Sequence, residues 1–231
     1  MGLAAAAVAT GLAWLIASAV FGLSLPGLAA TALIFALATS SYLYTTRRGK
    51  FIVWAGLLDG LALRGDERLL DVGCGRGCGA VLMLAAKRLP RGQAVGIDLW
   101  SRKDQSGNHP EATLRNAKLE GIGERVAVHT ADMRKLPFPD RSFEVVTGSL
   151  AVHNIADARG REAALAEIRR VLKPGGTARI ADIGRTAAYQ RYLSSLPGTT
   201  VERRRLGWRF WAGGPQMPTT LVTVRRARTL D

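Results

Sequence analysis

Two rhythms of apolar and polar positions alternate from Glu67 to the end of the chain. Short apolar runs of strand length are followed by longer segments with apolar residues at helical spacing. "RLLDV" (68–72), "QAVGIDLW" (93–100), "RVAVHT" (125–130), "FEVVTGS" (143–149) and "TARIADI" (177–183) are predicted strands. "GAVLMLAAKRL" (79–89) is a predicted helix stopped by Pro90, and "PEATLRNAKLEGIG" (110–123) is one with Pro110 at its start and Gly121 at its end. "GREAALAEIRRVLKPGG" (160–176) reads as an amphipathic helix ending in a Lys-Pro-Gly-Gly stop, and "AAYQRYLSSL" (187–196) as a further helix. The tail, "RLGWRFWAGG" (205–214) and "TTLVTVRR" (219–226), predicts two strands around Gly213–Pro218. Such alternation implies an α/β fold, a parallel sheet with helices on both faces.

The front of the chain follows neither rhythm. Met1 to Thr46 contains no Asp, Glu, Lys or Arg. Two apolar segments, Gly2–Leu23 and Gly27–Tyr44, are separated by "SLPG", and each is just long enough to cross a bilayer, which takes about 20 apolar residues. A signal peptide would carry a basic leader, which Met1–Leu15 lacks. A buried helical hairpin in a soluble fold and a single span with an interfacial second segment are the other readings. The expectation is a transmembrane hairpin of two helices over 1–46. Its small residues allow close helix approach, and Tyr42 and Tyr44 stand where an interfacial aromatic belt would be. Arg47, Arg48 and Lys50 follow at once and place that end on the cytoplasmic side of an inner or plasma membrane. A juxtamembrane segment, 47–66, then carries apolar residues at 51, 54, 55, 58 and 61, a helical spacing. The remaining domain spans 67–231.

The 32 basic and 18 acidic side chains leave a net charge of +14. That surface suits nucleic acid or an anionic leaflet, and the hairpin makes the leaflet the nearer partner. Cys74 and Cys78 have no second pair to complete a metal site, so no metal is expected and both read as reduced filler.

The candidate chemistry begins at "LLDVGCGRGCGA" (69–80), where a predicted strand runs into Gly73, Gly75 and Gly77. Glycines there let a ligand touch backbone at the carboxyl end of a strand. A dinucleotide fingerprint would need glycine at 78, which is Cys78, and a P-loop would need Gly-Lys-Ser/Thr, which is absent. Asp71 at the loop's edge repels a pyrophosphate and attracts a cationic amino group. Asp98, at the end of the next strand, can accept from both ribose hydroxyls, and Asp132, after the third, from an adenine amino group. A ribose, an adenine, a positive end and no phosphate describe S-adenosylmethionine.

"LLDVGCGRG", "GIDLW", "ADMRKLPFPDRSFEVV" and "VLKPGG" together resemble four successive motifs of the class I S-adenosylmethionine-dependent methyltransferases, in the family's order and spacing. The likeness is best to the small-molecule branch that includes ubiquinone- and menaquinone-type C-methyltransferases. The resemblance implies a Rossmann-like, doubly wound, seven-stranded sheet whose last strand is antiparallel. It implies that Asp71, Gly73 and Gly75 line the methionine end, that Asp98 holds the ribose, and that Asp132 and Met133 flank the adenine. Gly77, Leu99 beside Asp98, and Ser149 at the end of the fourth strand complete the expected cofactor set. Glu144 stands where the family usually has Asp, and the absence of an Asn/Asp-Pro-Pro-Tyr/Phe motif argues against the amino-methylating DNA enzymes.

The fourth strand runs into "SLAVHNI", so His153 and Asn154 are candidates beside the methyl group, His153 either as a general base or as a packing residue. His109 reads as solvent-exposed, His129 as structural, and Tyr189 and Tyr192 as pocket cover or helix packing. "RRRLGWRFW" (203–211) interleaves arginines with aromatics, a pattern that suits single-stranded nucleic acid, a headgroup layer or a solvated edge. The expected function is methyl transfer to a small, hydrophobic or membrane-resident acceptor. The rivals are an RNA or protein methyltransferase using the basic tail and a non-enzymatic membrane-anchored binding protein.

Overall fold

The computed structural model describes residues 12, 16, 19, 26–75, 81–101 and 107–228. The chain divides into two compact units, Met1–Lys50 with Gly207–Pro218, and Phe51–Leu206 with Thr219–Asp231.

In the first unit, helix α1 (Pro26–Tyr44) contains no charged residue and continues into one wider helical turn over Thr45–Gly49. Leu33, Ile34 and Leu37 on it are 60%, 66% and 61% exposed. Tyr44 stacks on Trp208 with ring centroids 5.3 Å apart, and the Arg209 guanidinium lies 5.0 Å from the Trp208 ring centre. Gly49 is required there, because a Cβ would fall 1.9 Å from the Arg209 carbonyl oxygen. Among the described residues no helix is long and apolar enough to cross a membrane. Of the two transmembrane helices expected, the second, over Gly27–Tyr44, is corrected accordingly. The second segment forms α1, a helix of 19 residues. The first segment, apart from Leu12, Ile16 and Ala19, lies outside the described residues.

The second unit holds a seven-stranded sheet in the order β3-β2-β1-β4-β5-β7-β6. The strands are β1 (Arg68–Val72), β2 (Gln93–Asp98), β3 (Val126–Thr130), β4 (Phe143–Ser149), β5 (Leu172–Asp182), β6 (Thr199–Arg205) and β7 (Thr220–Arg226). β1 to β5 pair in parallel, and the last strand, β7, is antiparallel to both β5 and β6. This is the Rossmann-like, doubly wound α/β arrangement the pattern predicts. Its helices are α2 (Lys50–Asp59), α3 (Val81–Lys87), α4 (Pro110–Leu119), α5 (Ala158–Val171) and α6 (Thr186–Ser194).

Two apolar layers flank the sheet. Leu165, Ile168 and Val171 of α5 and Tyr189 and Leu193 of α6 pack on Leu70, Val146, Ile180 and Val222. On the other side Leu58 of α2, Leu82 and Met83 of α3 and Ala117 of α4 cover Leu69, Ala94 and Val145. All but Met83 (4%) are 1% exposed or less, apart from Val145 (4%), and each large aliphatic side chain so buried contributes about 1.5–3 kcal/mol.

Two boundaries differ from the sequence reading. β5 begins at Leu172, not Thr177, because Leu172 already pairs with Phe143; "LKPGG" then bulges, with Gly175 at φ 76°, before a register shift brings Thr177 opposite Val145. The strand expected over 205–214 lies upstream, at Thr199–Arg205; Gly207, at φ 76°, turns the chain into a short 3₁₀ segment over Trp208–Phe210. β6 is an edge strand, so most of its side chains are polar and exposed.

Candidate active site

β1 and β4 are neighbours at the point where strand order reverses, and the loops beyond their carboxyl ends form the crevice in which doubly wound sheets bind ligands. Asp71, 2% exposed, accepts from the Thr147 hydroxyl of β4 at 2.8 Å. Burial pushes its carboxyl up to about 7; the Thr147 hydrogen bond opposes this and the charge of Asp98 adds to it. Gly73 follows at φ 71°, and a Cβ there would lie 2.4 Å from the Ala151 Cβ. The absence of a side chain brings the β1 loop directly against the β4 loop. Met133 also reaches this place, with its Cε 3.5 Å from that Cβ position.

Asp98 ends β2 and grips the glycine loop. Its Oδ2 accepts from the Gly75 amide at 2.9 Å, and its Oδ1 from the Trp100 amide at 2.6 Å and the Asn108 side-chain amide at 3.1 Å. Gly75 (φ 57°) is held again through its carbonyl, which accepts from Thr113 at 3.0 Å. A carboxylate accepts about four hydrogen bonds, so Asp98 retains acceptor capacity. The Asn108 Oδ1 beside it is buried with no partner among the described residues. Leu99 is 60% exposed next to it. Asp132 is held by Arg134, whose Nη2 lies 2.6 Å from Oδ2 and whose amide lies 2.8 Å from Oδ1; the Arg134 hydrogen bonds lower its pKa. Gly77 and Cys78 lie outside the described residues.

The β4 loop brings a histidine to the same crevice. Leu150, at φ 53°, turns the chain and donates to the Ala181 carbonyl of β5 at 2.8 Å. A short helical turn over Val152–Asn154 follows. The His153 ring Nδ1 lies 2.5 Å from Oδ1 of Asp182, the last residue of β5, and the His153 amide donates to Oδ2 at 2.9 Å. Asp182 is fully buried. The Ile183 amide and the Tyr189 hydroxyl also donate to it, at 2.9 Å and 3.4 Å. The other three partners of Asp182 are donors, which suits a carboxylate; a hydrogen on Nδ1 of His153 completes the set, and in the neutral ring Nε2 is then an acceptor. Tyr189 stays protonated, since burial first and the Asp182 charge next raise its pKa.

The remaining candidates fall elsewhere. Asn154 is exposed. Ser149 ends β4, but its Oγ accepts from Trp54 Nε1 at 2.9 Å. His109 pairs with Glu111 on the surface, and His129 packs edge-on against Phe138. Tyr189 is a packing residue and Tyr192 packs partly buried against the same core. The sequence reading missed Asp182 and Trp54. Asp182 carried a signal, an acid closing an apolar strand ("RIADI"), the same signature as Asp71 and Asp98.

A family model described as a methyltransferase domain matches residues 70–180. The chain is 38% identical over 125 residues to the ubiquinone/menaquinone biosynthesis C-methyltransferase UbiE of Dinoroseobacter shibae, covering 54% of this chain and 46% of that protein. It is 33% identical over 122 residues to the 27-O-demethylrifamycin SV methyltransferase of Amycolatopsis mediterranei, covering 53% and 40%. The chain thus spans less than half the length of these curated relatives. Among solved structures, the [4+2]-cyclase SpnF superposes with a TM-score of 0.60 at 20% identity over 75% of this chain and 82% of that one, a likeness of fold alone. The matches support a methyltransferase, and they support S-adenosylmethionine as its cofactor. The donor set fits that molecule: acceptor carboxylates at Asp71 and Asp98 suit a cationic, hydroxyl-rich ligand and disfavour a phosphate.

Proposed function

We propose that this chain methylates a small, hydrophobic acceptor that carries an acidic O–H or enolic C–H, with His153 as the general base. The His153–Asp182 pair beside the glycine loop carries the reading. When bound, S-adenosylmethionine supplies a methyl group on a sulfonium that departs as a neutral thioether. Asp98 would accept from a ribose hydroxyl while keeping Gly75 in place, and Asp71 would face the cationic end. Asp132 and Met133 would flank the adenine, with Gly73 leaving room for the ligand, Leu99 covering it and Ser149 at the strand end; Gly77, of the same expected set, lies outside the described residues. Nε2 of His153 takes the acceptor's proton as the methyl group is transferred, and Asp182 holds the ring and steadies the charge it gains. Asn154 is assigned to the rim of the acceptor site.

The acceptor is placed in or at a membrane, on its cytoplasmic side. The support is α1, whose exposed Leu33, Ile34 and Leu37 call for an apolar environment. The test is incubation of the chain with methyl-labelled cofactor and three acceptor pools: phenolic or enolic lipids, water-soluble metabolites, and RNA with protein. Label in the organic phase that disappears with Asp98→Ala is expected. Label only in RNA or protein overturns the reading.

A further inference from the structure

A second surface lies outside the residues assigned to methyl transfer. Residues directly opposite one another in a sheet share a face, as do residues two apart on a strand. Arg179 of β5 is opposite Thr223 of β7, which is opposite Glu202 of β6. One step along β7 on the same face stands Arg225, and one step along β6 stands Arg204. The register therefore gathers three arginines on one face of the β5-β7-β6 end. The opposite face is spent on the core, where Ile180, Val222 and Val224 pack with α6.

The charges on this face are not balanced. Its single carboxylate, Glu202, is engaged by Arg225 at 2.7 Å. Arg204 is exposed and forms no ion pair among the described residues. Arg179 is half-buried; its Nη2 donates to the Gly60 carbonyl at 3.2 Å, and its Nε is buried without a partner. Desolvation first, and then the charges of Arg204 and Arg225, depress the Arg179 pKa. A half-buried guanidinium whose charged neighbours are two others is costly unless an anion comes to it. Guanidinium forks match phosphate oxygens two at a time.

We propose that the Arg179, Arg204 and Arg225 face docks on the phosphate headgroups of an anionic phospholipid leaflet. A bilayer is favoured over a nucleic acid on two counts. Around the arginines this face exposes Thr200 and part of Thr177, with Ala181, Leu221 and Thr223 buried, and its strands offer no aromatic ring on which a base would stack. The same chain also carries α1, whose exposed aliphatic side chains suit lipid and not RNA. The proposal is independent of the methyl-transfer reading, because none of the three arginines belongs to that site.

Co-sedimentation of the full chain with vesicles tests it. The protein should bind vesicles of phosphatidylcholine with phosphatidylglycerol, and the binding should weaken steeply as salt is raised. Each basic residue at an anionic surface is worth about 1 kcal/mol. The triple variant R179Q/R204Q/R225Q should therefore bind these vesicles about a hundredfold more weakly, with binding to pure phosphatidylcholine and to cofactor unchanged. Arg204→Gln alone, on an exposed edge strand, keeps the test open if the triple variant folds poorly, and should cost about fivefold. Wild-type affinity in both variants overturns the proposal. So does release of the wild type from vesicles by millimolar inorganic phosphate at constant ionic strength, which would assign the face to a free anion. Loss of RNA binding with vesicle binding intact overturns it in favour of a nucleic acid.

Discussion

Asp98 and Asp182 are built alike and used differently. Each closes a parallel strand, β2 or β5, and each reaches the loop that follows an adjacent or nearby strand. Asp98 holds the main-chain amides of Gly75 and Trp100 and the side-chain amide of Asn108, none of which titrates. Asp182 holds a main-chain amide and also an imidazole ring, both belonging to His153. The first fixes the shape of a loop that binds. The second fixes a side chain that can exchange a proton. On the proposed function, one device, a carboxylate at a strand end, would serve the cofactor half of the crevice by rigidity and the acceptor half by chemistry.

The largest effect expected from breaking this comparison is on turnover. His153→Ala should lower kcat by about 10²–10⁴-fold, the usual range for a lost general base, with the cofactor Kd unchanged. Asp182→Asn should do part of the same and should also shift the pH profile of kcat, which a purely structural role would not. Turnover and equilibrium binding measured on the same preparations check both. Unchanged kcat in His153→Ala removes the proton-transfer role.

The next effect is on stability and has a sign. The Asp71 carboxyl, ordinarily near 3.8, is raised to about 7 in the fold. Between those values the folded chain holds a proton that the unfolded chain has lost, so this group's contribution to stability is complete below pH 3.8 and fades as pH rises to 7. Asp71→Asn should stabilise the ligand-free protein above pH 7, by at most about 4 kcal/mol. It should weaken cofactor binding at the same pH, since a cationic ligand favours the ionised form. Thermal melts from pH 5 to 8 with and without cofactor measure both arms. A variant that melts like the wild type at pH 8 counts against the raised pKa.

Asp98→Ala comes third. Leaving the Gly75 and Trp100 amides unpaired should weaken cofactor binding by about 1–3 kcal/mol, with kcat at saturation close to normal. Equal losses in kcat and binding would mean that the two halves of the crevice are not separable.

The candidate cofactor half is legible in the sequence because its parts are local. Asp71, Gly73 and Gly75 fall within five residues, and Asp98 closes the next strand at a regular distance. The acceptor half is assembled from residues 29 apart, His153 and Asp182, brought together by β4–β5 pairing that no local pattern encodes. β6 escaped notice because its edge position lets polar side chains fill a strand. The apolar front reads as two spans because its lack of charge is plain in sequence, while among the described residues no helix is long and apolar enough for a crossing. Ser149 was placed at the cofactor by its position at the end of β4; its hydroxyl partner, Trp54, lies 95 residues away.

That last contact gives the smallest and sharpest test. Trp54 is fully buried on α2, and its indole N–H donates to the Ser149 hydroxyl at the carboxyl end of β4. Trp54→Phe keeps an aromatic ring but removes the donor, so it should cost about 0.5–1.5 kcal/mol for the hydrogen bond, with some further loss from the smaller ring. Ser149→Ala should cost a similar amount, and the double variant should cost less than the two together, because they break one bond. If the Ser149 hydroxyl serves the fold alone, cofactor affinity stays at the wild-type level in Ser149→Ala while the melting temperature falls by a few degrees. If affinity falls in Ser149→Ala but not in Trp54→Phe, the hydroxyl turns from the indole to the ligand, and the end of β4 joins the cofactor half of the crevice and not the acceptor half.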